Sequence, residues 1–218
     1  MKPFANNRID YVVALADTNK KQEVLTIGIS NIPELEIKLE KKVKYCSCID
    51  LDKEKLNYAK KYLKNTNLVL GDITNPKVLN GRKFDTIIML EVLEHLEDDT
   101  GALKIIHSLL KKNGKLIISV PNKHLLHLLN PVRYTQHKRH YSMNEIEFLL
   151  VKTGFSIKHK NTVESLKLLF DLYVHLFFKY VLHKKVKFGV FTSKIDKTYR
   201  KYNKESKGMD SILVAVRD

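Results

Sequence analysis

The sequence predicts an α/β fold built on a doubly wound, mostly parallel sheet. Three observations carry that expectation. Short apolar runs of strand length alternate along the chain with segments of helical periodicity. The helical segments are long enough to act as crossover connections between parallel strands. A glycine, an aspartate or a proline follows several of the runs, at the carboxyl ends of strands where such sheets bind ligands.

The elements follow in order. Ile9 to Ala16 reads as a short leading helix. Val24-Leu-Thr-Ile-Gly28 is a buried strand that ends in glycine. Pro33 to Lys42 reads as a helix, with Ser30 or Asn31 as its N-cap and Pro33 in its first turn, where a missing N–H leaves no bond unmade. Tyr45 to Asp50 is the second strand. Lys53 to Lys64 is a helix carrying Leu56, Ala59, Tyr62 and Leu63 on one side. Leu68 to Leu70 is a short third strand, and Phe84 to Leu90 is the fourth. Thr100 to Lys111 is a helix closed by Asn113-Gly114, because glycine accepts the left-handed conformation at a helix C-terminus. Lys115 to Val120 is the fifth strand, stopped by Pro121. Ser142 to Thr153 is a helix that starts near Met143 or Asn144 and ends at Gly154. Phe155 to Lys158 is the sixth strand and Ser211 to Val216 the seventh. No repeat or Ser/Gly-rich linker breaks this order, so residues 1–218 read as one domain with a helical, basic insertion at about 160–210.

A hydrophobic fraction of 44% argues against a disordered chain. Lys and Arg number 39 against 24 Asp and Glu, a net charge of +15. That charge favours an anionic partner: nucleic acid, an anionic membrane surface or a phosphorylated substrate. High lysine content also arises from host composition or a hot habitat. The two cysteines, Cys46 and Cys48, are alternate residues of one strand and are poorly placed for a disulfide. No Cys or His spacing resembles a zinc module. Met1 to Asp17 has no apolar run of signal-peptide type, and no uncharged stretch of about 18 apolar residues offers a spanning helix. The expectation is a cytoplasmic protein, with peripheral membrane contact as a variant of it.

The strand ends direct attention to particular residues. Gly28 would leave the amides of the next helix beside a ligand. Asp50, at the end of the second strand, can accept hydrogen bonds from both ribose hydroxyls of an adenosine ligand, or else cap the helix that follows. In Gly71-Asp72-Ile73, a side-chain acceptor could take an adenine amino group with Ile73 against the ring; the plainer alternative is a turn.

Taken together, these segments resemble the class I S-adenosylmethionine-dependent methyltransferases. Val24 to Gly28 looks like the family's first motif, Cys48-Ile-Asp50 its acidic second motif and Gly71-Asp72-Ile73 its adenine turn. Phe84 to Leu96 (FDTIIMLEVLEHL) and Leu110 to Asn122 (LKKNGKLIISVPN) resemble the fourth- and fifth-strand motifs, and His137 to Phe155 the segment that often follows. The resemblance covers roughly residues 8–158 and the last strand. It implies a Rossmann-like seven-stranded sheet with an antiparallel last strand. It also implies S-adenosyl-L-methionine as cofactor, held by Gly28, Asp50, Leu51, Asp72, Ile73 and Leu90. One departure stands out. The family's first motif usually has an acidic residue before the isoleucine and a G-x-G-x-G loop, whereas this chain has Thr26, then Gly28, Ile29, Ser30, Asn31 and Ile32.

Glu91, Glu94 and His95 follow the fourth strand at helical spacings that would share a face. Two chemical readings are open. His95 is a general base for a substrate hydroxyl, with Glu94 and His137 beside it as catalytic candidates. Alternatively Glu91, Glu94 and His95 hold a divalent metal that acts as a Lewis acid, with His137 or His140 as a further ligand. The run resembles that of metal-using O-methyltransferases of quinone pathways and of small-RNA termini. The bland alternative is a surface helix whose acids favour its N-terminus. His124, His127, His137 and His140, with Arg133, Lys138 and Arg139, suit an anionic or hydroxylated substrate, or form a solvated basic loop.

From Val163 to Leu182, apolar residues follow helical spacing around most of the girth, and Lys184, Lys185 and Lys187 come next. This is the profile of interfacial contact with an anionic membrane, or of a lid helix packed on the sheet or on a second subunit. The leading expectation is an enzyme that methylates oxygen on a small-molecule or lipid-linked acceptor. An RNA 2′-O-methyltransferase and a non-catalytic partner subunit with the methyltransferase fold are the rivals.

Overall fold

The computed structural model describes residues 3–123, 139–163 and 210–218. Its helices are α1 (Pro3–Ala16), α2 (Glu34–Leu39), α3 (Lys53–Ala59), α4 (Asp99–Leu109) and α5 (Met143–Lys152). Its strands are β1 (Glu23–Ile27), β2 (Tyr45–Asp50), β3 (Thr66–Leu70), β4 (Phe84–Leu90), β5 (Leu110–Pro121), β6 (Phe155–Val163) and β7 (Asp210–Arg217). Single 3-10 turns lie at Pro76–Leu79 and Leu93–His95. The apolar and basic segment expected as an insertion lies outside the described residues from position 164 to 209, as does the histidine-rich stretch from 124 to 138. No described helix is long and apolar enough to cross a membrane.

The seven strands form one sheet in the order β3-β2-β1-β4-β5-β7-β6. Pairs β1–β2, β2–β3, β1–β4 and β4–β5 are parallel, and β7 runs antiparallel to both β5 and β6. Both faces are covered, which is why the strands read as near-continuous apolar runs. Ile87 and Met89 face the layer of α4 and α5 with Leu103, Ile106, Ile146 and Leu150. The alternate residue Ile88 faces Val12, Val13 and Ala16 of α1 and Leu35 and Leu39 of α2. Cys46 and Cys48 are free and buried on one side of β2, and burial pushes the Cys46 thiol up to about 12.

Several boundaries differ from the sequence reading for local reasons. Pro33 is itself the N-cap of α2, and neither Ser30 nor Asn31 caps it. The Ser30 hydroxyl instead donates to the Ile32 carbonyl. Asp52, not Asp50, caps α3, accepting from the amides of Glu54 and Lys55 at 2.9 and 3.0 Å. Asn113-Gly114 does not close α4. The helix ends at Leu109, and Leu110 already pairs with Phe84. Lys111 to Gly114 form an irregularity inside β5 before pairing resumes at Lys115, with Asn113 at φ 60°. α5 is held by a capping box: the Ser142 hydroxyl accepts from the Glu145 amide, and the Glu145 carboxylate accepts from the Ser142 amide. β6 extends to Val163 because β7 offers it a partner along its length, which a local pattern does not disclose.

Candidate functional site

β1 lies between β2 and β4, so the chain winds outward in opposite directions from the β1–β4 pair. At such a switch point the connections leave apart and open a crevice above the carboxyl ends of the strands. A cavity of about 360 Å³ occupies that crevice. Gly28, Asp50, Leu51, Asp72, Ile73 and Leu90, the residues expected to hold a cofactor, all line it.

The backbone around Gly28 is tightly constrained. Its φ is +81°, its amide donates to the Ile49 carbonyl at 2.9 Å, and an added Cβ would come within 2.7 Å of Val92 Cγ2. Both the dihedral and the close approach require glycine. Asp50 then ties the floor together. One carboxylate oxygen accepts from the Ile29 amide at 2.6 Å and the other from the Asp52 amide at 2.7 Å. Each oxygen keeps a second lone pair, so two further donors can be accepted from the cavity. Asp72 makes the turn after β3 by accepting from the Thr74 amide at 2.8 Å, which leaves its second oxygen for another donor. Ile73 is buried and Leu51 is 68% exposed, and both border the cavity.

Glu91, Glu94 and His95 do not share a helical face. Glu91 sits at φ 54°, before the 3-10 turn that begins at Leu93. Its carboxylate accepts from the Arg8 guanidinium at 2.9 Å and from the Ser119 hydroxyl at 2.8 Å. Glu94 turns into the interior and is fully buried, while His95 is exposed and lines the cavity mouth. Among the described residues, no group of three or more His, Cys, Asp or Glu side chains is arranged to hold a metal. The set of Glu91, Glu94 and His95 as joint metal ligands is therefore corrected. His137 lies outside the described residues, as do His124, His127, Arg133 and Lys138.

Arg8 of α1 was not singled out from the sequence. It bridges Glu91 and Asp210 at 2.9 and 3.2 Å and donates to the Ser119 hydroxyl at 2.7 Å. It thus pins α1 across the ends of β4, β5 and β7. Burial, then the Glu91 charge, pushes the Glu94 carboxyl up to about 8; Asp210 adds to the rise and Arg8 opposes it. Glu36 of α2 was also missed. It is 2% exposed, lines the cavity, and its carboxyl is raised chiefly by burial. The available signal was its place between Leu35 and Leu39, on the buried side of a short helix. Arg139 donates to the carbonyls of Leu96 and Glu97 at 2.9 and 2.6 Å, the first of which belongs to a residue of the cavity lining. The Tyr141 hydroxyl beside it donates to Asp99 at 2.9 Å.

A family model described as a methyltransferase domain matches residues 10–160, more than half of the chain. The chain belongs to that family, the class I S-adenosylmethionine-dependent methyltransferases. It is 35% identical over 79 residues to a ubiquinone biosynthesis O-methyltransferase of Pelagibacter ubique, covering 35% of this chain and 33% of that one. It is 27% identical over 128 residues to the protein of the same name from Actinobacillus pleuropneumoniae, covering 54% and 53%. The chain thus spans between a third and about half of the length of these curated relatives. Two solved structures share the fold. Magnesium protoporphyrin IX methyltransferase of Synechocystis, with bound S-adenosylhomocysteine, aligns over 100% of this chain and 83% of its own at 19% identity and a TM-score of 0.62. The Haloferax volcanii methyltransferase in complex with the activator Trm112 aligns over 96% and 88% at 12% identity and a TM-score of 0.68.

Proposed function

We propose that this methyltransferase transfers the methyl group of S-adenosylmethionine to an oxygen of a small-molecule or lipid-linked acceptor. The observation that carries the cofactor part is the half-buried Asp50 carboxylate, fixed by two backbone amides at the cavity floor with acceptor capacity left over. The lining residues fit the cofactor along its length. Asp50 would accept from the ribose hydroxyls. Asp72 would accept from the adenine amino group, with Ile73 and Leu51 against the ring. Gly28 and the following backbone would carry the methionine end. When bound, S-adenosylmethionine supplies an electrophilic methyl group on a sulfonium. The chain supplies alignment, which accounts for much of the rate when two reactants are held in line. It also supplies a proton acceptor at the cavity mouth, where the His95 imidazole would take the proton of an acceptor hydroxyl.

The methylation of oxygen is supported by the names of the relatives from Pelagibacter and Actinobacillus. The test has two parts. Asp50→Ala should weaken S-adenosylhomocysteine binding by about 1–3 kcal/mol in calorimetry, the scale of lost hydrogen bonds to a charged group. His95→Ala should lower kcat while leaving that affinity nearly unchanged. A wild type that binds no S-adenosylhomocysteine would overturn the enzymatic reading in favour of a partner subunit. Unchanged turnover in His95→Ala would remove the histidine from the chemistry.

A further inference from the structure

The first strand carries Thr26 where the family's motif has an acid, yet the cavity holds a second carboxylate besides Asp50. Glu36 reaches it from α2. α2 packs on the α1 face of the sheet through Leu35 and Leu39. Thr26 points to the same face, because it alternates with Leu25 and Ile27, which belong to the opposite core. Glu36 therefore meets the carboxyl end of β1 beside Thr26, and both residues line the cavity. This burial demands an explanation. A carboxylate 2% exposed loses most of its hydration and is expected to have a charged or donating partner. Glu91, on the neighbouring strand end, has Arg8. Glu36 has donors in the Thr26 hydroxyl and a backbone amide, but no described lysine, arginine or histidine offsets its charge, and its charged neighbour is Asp50, a like charge.

We propose that Glu36 binds the α-ammonium group of the cofactor's amino-acid end, supplying from α2 the carboxylate that β1 lacks. This rests on the reading that the cavity takes S-adenosylmethionine. The layout of the cavity fixes the position. Asp72 and Ile73 follow β3, Asp50 ends β2, and Glu36 lies beside the end of β1. The strands run in the order β3-β2-β1-β4. A ligand with its adenine at β3 and its ribose at β2 extends its third part over β1, where Glu36 waits. An ammonium there donates to the carboxylate in a water-poor site, where charge-assisted hydrogen bonds are strong. The same cation offsets the burial that raises the Glu36 carboxyl.

The test compares two ligands. S-adenosylhomocysteine carries the amino-acid end, and 5′-methylthioadenosine keeps adenine and ribose but lacks it. Both are titrated calorimetrically into wild type and Glu36→Gln. The expected result is that Glu36→Gln weakens S-adenosylhomocysteine by about ten- to a hundredfold and leaves 5′-methylthioadenosine unchanged. Equal weakening of both ligands, or of neither, overturns the role of Glu36. If the variant does not fold, the wild type alone decides. An S-adenosylhomocysteine analogue with hydrogen in place of the amine should bind about ten- to a hundredfold more weakly, and equal binding overturns the proposal. A wild type that binds 5′-methylthioadenosine but ignores the amine thus sinks Glu36 alone. One that binds neither nucleoside sinks the cofactor reading and this role with it.

Discussion

Gly28 shows how much one residue of the site decides. It combines a left-handed φ of +81° with a space that Val92 Cγ2 closes to 2.7 Å for any Cβ. Gly28→Ala therefore meets two separate penalties, a disfavoured dihedral and an overlap, and should lose about 1–3 kcal/mol of stability in urea unfolding. The two can be told apart. Adding Val92→Ala to Gly28→Ala removes the overlap but not the dihedral, so the double variant should recover only part of the loss relative to Val92→Ala alone. Full recovery would mean that the dihedral costs nothing here. Ser30 and Ile32, which stand where the family's loop has its further glycines, carry no positive φ, nor do Ile29 and Asn31. Only Gly28 takes the left-handed turn in this stretch, which explains how one glycine suffices for the local backbone. Glu91 takes a left-handed φ without being glycine, and its bonds to Arg8 and Ser119 and its amide bond to the Ser119 carbonyl hold it there.

At the scale of elements, α1 crosses the strand ends and sets the electrostatics of the site. Its Arg8 meets Glu91 and Asp210 while Glu94 lies buried beside them, so one guanidinium faces three carboxyl groups. Burial first, and the Glu91 charge second, make Glu94 keep its proton up to about 8 against an ordinary 4.5. Below the lower value, the folded and unfolded states both hold that proton. Between the two values the folded state keeps a proton that the unfolded chain has released, so this group's stabilisation is complete at low pH and is lost as pH rises through the window. Glu94→Gln, which cannot ionise, should thus gain stability relative to wild type as pH rises from 5 to 8, by up to about 1.4 kcal/mol per pH unit. Urea melts at both pH values check the sign, and a difference that stays constant or shrinks would show that Glu94 is already ionised. This cluster also marks the limit of what the sequence discloses. Strand cores, the order of elements and the cavity-lining Gly28, Asp50, Asp72 and Ile73 are legible because periodicity and strand-end position are local properties. Arg8 and Asp210 are not, because their partners lie far away in sequence. The spacing of Glu91, Glu94 and His95 misled because it presumes a helix, whereas the backbone turns left-handed at Glu91 and then makes a single 3-10 turn. Asp50 could be read as a cap because α3 follows it closely, but the amides of Glu54 and Lys55 meet Asp52 instead.

At the scale of the whole molecule, the excess of 39 basic over 24 acidic residues remains to be assigned to a partner. Within the described cavity the charges are balanced or acidic, since Asp50, Glu36, Asp72 and Glu91 line it along with Lys55. The positive charge is therefore not there to hold the cofactor. The sequence from Val163 to Leu182 carries many apolar residues, and Lys184, Lys185 and Lys187 come soon after it. Apolar residues next to lysines favour the headgroup region of an anionic bilayer, where each nearby lysine contributes about 1 kcal/mol. An RNA acceptor would use the charge differently, through several phosphate contacts whose counterion release makes affinity fall steeply with salt. Sedimentation with phosphatidylserine-containing vesicles separates the two uses. With a lipid-linked acceptor, the protein should pellet with anionic vesicles and much less with neutral ones, and replacing Phe177 and Phe178 by serine should weaken pelleting while S-adenosylhomocysteine affinity stays the same. That unchanged affinity also serves as the control that the variant is folded. No pelleting, combined with RNA binding whose affinity drops by orders of magnitude between low and physiological salt, would instead assign the charge to phosphates and make the acceptor a ribose hydroxyl.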